Sequence, residues 1–288
     1  MINSKSFSIG IMAHNEEKNI GILLEELLRQ AKDTHFPFDI IVVASGCTDR
    51  TVDIARKYAE KEKCIKLMIE KERKGKAEAI NLFLKNVNSE YLFVSSADIL
   101  PQDNTLMRFL DAFSDFSVGM VGARPFPIYS KGFTGILNRL LWDLHHQISL
   151  KRAKLGEFIA FRNIIDEIPY LTAADEASIE ALMVKKGFKI KYLSDVIIYN
   201  YAPKDIISFI KKRIRIYVGH LFVKDKLGYC VSTYSVFPLF GIVLKKIKDE
   251  KKYIFYILVL VFLEVLARLT AFFQYYIRKK TYHIWQRN

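Results

Sequence analysis

Within its first 113 residues the chain alternates short, largely apolar runs with segments that are apolar only at helical spacing. Ser6–Ala13 (SFSIGIMA), Asp39–Ser45 (DIIVVAS), Ile65–Ile69 and Tyr91–Ser95 (YLFVS) are the runs. A strand with one wet face would alternate polar and apolar residues, so unbroken apolar runs predict strands buried on both faces. Between the first two, Ile20, Leu23, Leu24, Leu27, Leu28 and Ala31 repeat as one face of a helix. Asn15 reads as its cap, with Glu16 and Glu17 in the first turn. Gly46-Cys47-Thr48-Asp49 opens a second helix carrying Val52, Ala55 and Ala59, and Lys76–Val87 reads as a third with Ala79, Ile80, Phe83, Leu84 and Val87 inward. This alternation predicts an α/β, Rossmann-like domain whose mainly parallel sheet is covered on both faces.

Past residue 113 the pattern loosens. Val118–Ala123 reads as a strand, and Arg124-Pro125-Phe126-Pro127 must stay extended or turn. Gly132–Leu150 is amphipathic and rich in aromatics. Its adjacent His145 and His146 point to different sides of a helix, which makes them structural rather than a metal pair. Asp175–Lys186 is a helix ended by Gly187. Lys189–Leu193 and Val196–Tyr199 are β-like, and Ile206–Tyr217 is a basic helix.

The net charge of +13 sits almost wholly at the carboxy-terminal end. Residues 1–200 hold 27 basic and 26 acidic side chains, whereas residues 201–288 hold 17 and 5. That basic stretch surrounds Tyr253–Ile277, an apolar segment of bilayer length with tyrosines at both ends. Lys245, Lys246, Lys248, Lys251 and Lys252 precede it, and Arg278, Lys279 and Lys280 follow. Cations beside an apolar run suit membrane lipids better than nucleic acid, for which no binding module is recognisable. A spanning helix is the favoured reading and a helix lying in the interface the alternative. Glu264 and Arg268, four residues apart, are expected to pair with each other. Ser235–Leu244 reads as a second, shallow membrane contact. Cys47, Cys64 and Cys230 are scattered, as free thiols of a reducing compartment would be. With no signal peptide legible at the amino terminus, the expected location is the cell membrane with the folded domain facing the cytoplasm.

A parallel sheet binds ligands at the carboxyl ends of its strands. The polar residues gather there: Ala13-His14-Asn15-Glu16 after the first strand, Ala44-Ser45-Gly46 after the second, Ser96-Ala97-Asp98 after the fourth. In that order these segments resemble the family-2 glycosyltransferases, which have the GT-A fold. His14-Asn15-Glu16-Glu17 resembles the family's opening P-x-Asn-Glu. Ile41–Thr51 (IVVASGCTDRT) resembles its VVDDGSTDxT segment, and Lys74–Asn81 (KGKAEAIN) its GKxxALN loop. Ser96-Ala97-Asp98 falls where the family has Asp-x-Asp. Gly156–Arg162 (GEFIAFR) resembles the strand lining the acceptor side, and Asp175-Glu176 the acidic base motif. Lys212–Ile216 with Gly219 resembles Gln-x-x-Arg-Trp.

The resemblance covers residues 6–220. It implies a glycosyltransferase domain over 1–220, with a donor-nucleotide half at 1–125 and an acceptor half at 126–220. Residues 221–288 are then a basic membrane-associated tail, with an expected transmembrane helix at 253–277. Transfer of a hexosyl group with inversion is implied, from a nucleotide-sugar to a hydroxyl or phosphate of a polyprenyl-linked or glycan acceptor. Ala13, Asn15, Glu16, Ser45, Lys76, Ser96, Ala97, Asp98, Arg213 and Arg215 are the implied donor-binding residues. Asp98 is the implied ligand of Mg²⁺ or Mn²⁺, and Glu176 or Asp175 the base, with Glu176 preferred. Ala44, Ser45 and Ser96 stand where the family has aspartates. Those losses keep open a catalytically inactive homologue serving as a membrane scaffold. A nucleotidyltransferase making sugar nucleotides is the other alternative, although its Gly-rich phosphate loop is missing.

Overall fold

The four apolar runs become β1 (Phe7–Ala13), β2 (Phe38–Ser45), β3 (Ile65–Glu70) and β4 (Tyr91–Ser96) in the computed structural model, which describes residues 5–128, 132–234 and 237–284. β1 pairs in parallel with both β2 and β4, and β2 with β3. Helices α1 (Ile20–Asp33), α2 (Thr51–Lys61), α3 (Lys76–Leu84) and α4 (Thr105–Ala112) alternate with them. Phe7, Ile9, Ile40, Val42 and Phe93 face one core with Leu23, Leu27 and Phe109. Met12, Ile41, Val43, Leu92 and Val94 face a second core with Ile80 and Phe83. Burial on both faces is why these strands are apolar at consecutive positions, and each such side chain contributes about 1.5–3 kcal/mol.

β5 (Ile99–Pro101), β6 (Val118–Ile128), β7 (Phe158–Arg162) and β8 (Lys189–Tyr201) extend the sheet, giving the order β3-β2-β1-β4-β7-β6-β8-β5. β7 runs antiparallel to β4 and β6, and β5 antiparallel to β8. The parallel expectation therefore holds from β3 to β4, and the rest of the sheet is mixed. A strand buried on both faces reads alike in either direction. The two β-like segments after Gly187 form the single strand β8. A register shift between Ala123 and Arg124 of β6 absorbs Ser194, Asp195 and Val196.

One helix start differs from expectation. α1 begins at Ile20 after Asn19, with no acid in its first turn. Asn15, at φ +55, lies in the preceding turn instead of capping the helix.

The other layer is built from α5 (Gly132–Lys151), α6 (Asp175–Lys185), α7 (Ile206–Leu227), α8 (Phe237–Asp249) and α9 (Ile254–Phe272), which continues into a π turn at Phe273–Ile277. His145 is buried against Trp142, and the His146 ring meets Tyr192, so the two histidines do point apart. α7 runs past the expected Tyr217 to Leu227, ended by Gly228 at φ +67. The helical run Lys251–Ile277 is long and apolar enough to cross a membrane. One face of it, with Ile257, Leu260, Leu263, Ala267 and Ala271, is buried against α5 and α7. Glu264 pairs with Arg213 of α7 at 2.6 Å, not with Arg268. Arg268 instead donates to the Thr233 carbonyl at 2.9 Å and lies over the Tyr217 ring. The shallow contact expected at Ser235–Leu244 begins outside the described residues.

Candidate active site

The carboxyl ends of β1 and β2 are tied into one platform. His14 Nδ1 meets the Ser45 carbonyl oxygen at 2.7 Å, and the Cys47 thiol reaches the Ala13 carbonyl at 3.7 Å. Asn15 Oδ1 accepts from the Thr48 amide at 2.8 Å, holding the two loops together. Glu16 is buried; its amide donates to Thr51 Oγ1 at 2.7 Å and its carboxylate accepts from Asn19 at 2.8 Å. Asn15 and Glu16 thus brace the platform on which a donor would lie. The Ser45 hydroxyl is buried and has no hydrogen-bond partner among the described residues. An orphaned hydroxyl costs about 1–3 kcal/mol until a ligand satisfies it, which suits contact with a nucleobase or ribose. Gly46, at φ +58, lets the backbone of Arg73 approach, so the loop after β3 walls this side.

The second cluster joins distant segments. Lys76, the first residue of α3, reaches Asp175 Oδ2 at 2.7 Å and Glu176 Oε1 at 3.0 Å in the first turn of α6. The buried Asn81 side chain holds these helices in place. Its Oδ1 accepts from the Ile168 amide at 2.8 Å, and its Nδ2 donates to the Ile168 carbonyl at 2.9 Å. Gly219 brings α7 onto the same corner, because a Cβ there would lie 2.7 Å from that of Ala174. One turn earlier, Arg215 sits in the field of Asp175, Glu176, Glu157 and Asp98, the last in the turn after Ser96 and the buried Ala97. Burial pushes its guanidinium below the usual arginine range, and those carboxylates oppose the shift.

The two acids differ. Burial and the neighbouring Glu176 raise the Asp175 carboxyl above its ordinary range. Burial would raise Glu176 too, but the Lys76 ion pair holds it below the ordinary range. The Glu176 side chain is 21% exposed against 8% for Asp175.

Arg213 departs from the donor-binding set. Its guanidinium is bound to Glu264 and to Tyr217 Oη at 2.9 Å, on the side of α7 that meets α9. Sequence reasoning also passed over Glu157. It lies at φ +66 just before β7, with Lys212 Nζ at 3.7 Å from its carboxylate. A Gly-acid pair opening the acceptor strand was the available signal. Nothing in the sequence indicated the fate of residues 281–284. Tyr282 packs beside Tyr217, and the next residue covers Gly75, the turn before Lys76. A Cβ on Gly75 would sit 2.5 Å from the His283 carbonyl oxygen, and its φ is +102. Gly75→Ala is therefore expected to destabilise the fold by about 1–3 kcal/mol. The carboxy-terminal segment should also become a faster target for limited proteolysis, and an unchanged melting curve and cleavage pattern would reject this contact.

Among the described residues no three His, Cys, Asp or Glu gather into a metal cage. Asp98, half-buried in its turn, offers one carboxylate. That donor set fits Mg²⁺ or Mn²⁺, which need one or two carboxylates when substrate phosphates supply the remaining oxygens.

The profile of glycosyl transferase family 2 matches residues 8–182. The chain belongs to this family. The dolichyl-phosphate beta-glucosyltransferase of Homo sapiens is 31% identical over 103 residues, 33% of this chain and 32% of the relative. The 4,4'-diaponeurosporenoate glycosyltransferase of Staphylococcus aureus is 46% identical over 56 residues, 19% of this chain and 14% of that protein. The match thus spans a third or less of these curated relatives. A mannosyltransferase of Pyrobaculum calidifontis, solved with GDP-Man and Mn²⁺, shares the fold with a TM-score of 0.69 at 18% identity. That alignment covers 95% of this chain and 88% of the solved one. The chain has the GT-A fold, its sheet parallel from β3 to β4 and mixed beyond.

Proposed function

We propose that this family-2 member transfers a sugar, with inversion, from a nucleotide-sugar to a hydroxyl or phosphate of a lipid-linked acceptor at a membrane. The observation that carries the reading is the meeting of Lys76, Asp175, Glu176, Arg215 and Asp98, from four separate stretches of chain, beside the carboxyl end of the sheet. A scaffold has no need to gather three such carboxylates around one lysine and one arginine, with Asp175 buried, because ionised groups are costly to desolvate. A nucleotidyltransferase would need a phosphate loop where the Asn15–Thr48 brace stands. The names of the human and staphylococcal relatives, a dolichyl-phosphate beta-glucosyltransferase and a 4,4'-diaponeurosporenoate glycosyltransferase, support a lipid-borne acceptor. A catalytic domain on the cytoplasmic face fits the three free thiols.

In this reading the nucleoside lies on the β1–β2 platform, with the Ser45 hydroxyl and the backbone of Ala13 and Ala44 taking the place of the family's aspartates. Ser96, Ala97 and Asp98 line the diphosphate. A divalent cation held there with Asp98 would supply charge neutralisation for the departing nucleoside diphosphate. Arg215 adds fixed positive charge on the same side. Glu176 accepts the proton of the acceptor hydroxyl as its oxygen attacks the anomeric carbon from the face opposite the leaving group. Lys76 keeps that carboxylate ionised and oriented. Where the acceptor is already a phosphate there is little proton to remove, and Glu176 then serves only to position it.

Binding of a panel of nucleoside diphosphates and nucleotide-sugars tests the reading, by calorimetry with and without Mn²⁺. One nucleotide class is expected to bind more tightly with Mn²⁺. Asp98→Ala is expected to remove at least about tenfold of that affinity, a loss that even outer-shell partners of a metal cause. A folded protein that binds no nucleotide would sink the transferase reading in favour of the scaffold.

A further inference from the structure

α9 is apolar on two opposite faces. At roughly 100° per residue, the buried positions Ile257, Leu260, Leu263 and Ala267 lie on one side. Phe255, Leu258, Phe262, Leu269 and Phe272, all between 55% and 66% exposed, fill an arc of about 100° on the other. A continuous stripe of that length on a water-facing helix marks a partner or a bilayer.

Its ends carry the second observation. Lys251 and Lys252 are exposed at one end, and Arg278, Lys279 and Lys280 at the other. At the first end Arg139, Glu250, Lys251, Lys252 and Tyr253 line an open pocket of about 580 Å³. The Glu250 carboxylate there is taken by Lys246 at 2.6 Å, leaving the pocket cationic. Two copies joined through this stripe would bring basic ends onto basic ends. Lipid phosphates match both features, apolar between and anionic at the rims.

We infer that α9 lies in the plane of an anionic bilayer, its outer face in the acyl boundary and its basic ends at the headgroups, and that it does not cross. The inner face is tied to the catalytic domain along its whole length. Arg213 holds Glu264 at 2.6 Å, Arg268 reaches the Thr233 carbonyl at 2.9 Å, and Tyr275 Oη donates to Asp225 at 3.0 Å. A crossing would strip off these partners, leave Arg213 buried without its carboxylate, and carry Glu264 and Arg268 into hydrocarbon. Lying flat keeps every tie and still removes the stripe from water. The inference deepens the membrane-borne acceptor reading, because α7, which carries Arg215, is the helix pressed against α9. It rests on the outer face of α9, however, and needs no donor site.

The test is flotation of the full chain with phosphatidylcholine vesicles, with and without phosphatidylglycerol, in the absence of nucleotide. The protein is expected to float with the anionic vesicles and at least about tenfold more weakly with phosphatidylcholine alone. K251E/K252E should weaken anionic binding by about tenfold or more. Phe262→Asp should abolish it while leaving the melting curve unchanged, since that side chain touches solvent. On sealed membrane vesicles from expressing cells, amino- and carboxy-terminal tags should share one fate under external protease. Opposite fates for the two tags mean a crossing helix and overturn the inference. Equal binding to both lipid mixtures, or a soluble dimer that ignores vesicles, overturns it as well. Flotation as expected from a protein that binds no nucleotide would leave this inference standing and remove the transferase reading alone.

Discussion

Glu176→Gln is expected to lower kcat by about 10²- to 10⁴-fold, the usual contribution of a general base, while donor affinity changes little. Glutamine keeps the shape and can still receive the Lys76 hydrogen bond, but it cannot take a proton. Asp175→Asn should cost less in kcat and more in stability, because Asp175 is the more buried of the two and the shorter partner of Lys76. The pH profile gives an independent check. A base works only when deprotonated, so activity is present above its pKa and falls as pH drops through it. With Glu176 held low by Lys76, the acid limb of kcat should lie below the ordinary glutamate range and disappear in Glu176→Gln. If Asp175→Asn is the dead variant and Glu176→Gln stays within a few fold of wild type, the base is Asp175. If neither matters, the catalytic reading of this cluster fails.

Arg213→Met is expected to destabilise the protein by about 3–5 kcal/mol, the cost of leaving a buried partner uncompensated. The side chains concerned are 11% and 18% exposed, so solvent screens the pair little. Glu264 would keep its bond from Tyr217 but lose two from the guanidinium, Nε at 2.6 Å and Nη2 at 3.0 Å. The melting temperature should fall on the order of ten degrees, and α9 should become a protease target before the sheet does. The double variant R213M/E264L should recover most of the loss, because replacing both charges with apolar groups removes the desolvation cost along with the attraction. A single variant that melts like wild type would mean the pair contributes nothing and α9 is held by apolar packing alone. Activity in Arg213→Met, measured below its melting temperature, separates this structural role from the donor-binding role that its place in the motif implies. Retained activity supports the structural role.

The alternation of strands and helices is legible locally. Val42-Val43 and Phe93-Val94 are apolar on consecutive positions because helices cover both sheet faces, and that signature sits within a few residues. The polar residues follow the strands by chain order alone, so Asn15, Ser45 and Asp98 reach one end of the sheet without knowledge of any contact. The acids of α6 were legible for the same reason, since a helix start with two carboxylates stands out in sequence. Several partnerships were not legible. Asn15 looked like a cap but braces Thr48, because either use needs only a short polar side chain near a turn. Lys76 looked like a phosphate ligand, yet its charge is shared by carboxylates a hundred residues away. Glu264 had Arg268 at the favourable i+4 spacing, but Arg213 comes closer from another helix. The direction of β7 and the resting place of His283 on Gly75 have no local signature at all.

The sequence by itself determined the strand–helix alternation, the end of the sheet at which the polar residues gather, the acids at the start of α6 and the apolar, basic-flanked carboxy-terminal helix. Each depends on periodicity or on neighbours within about one turn, where chain connectivity dictates geometry. The tertiary structure alone decided which cation meets which carboxylate and which face of α9 stays exposed. Both faces of that helix are apolar in sequence, and only the docking of α5 and α7 against one of them leaves the other exposed.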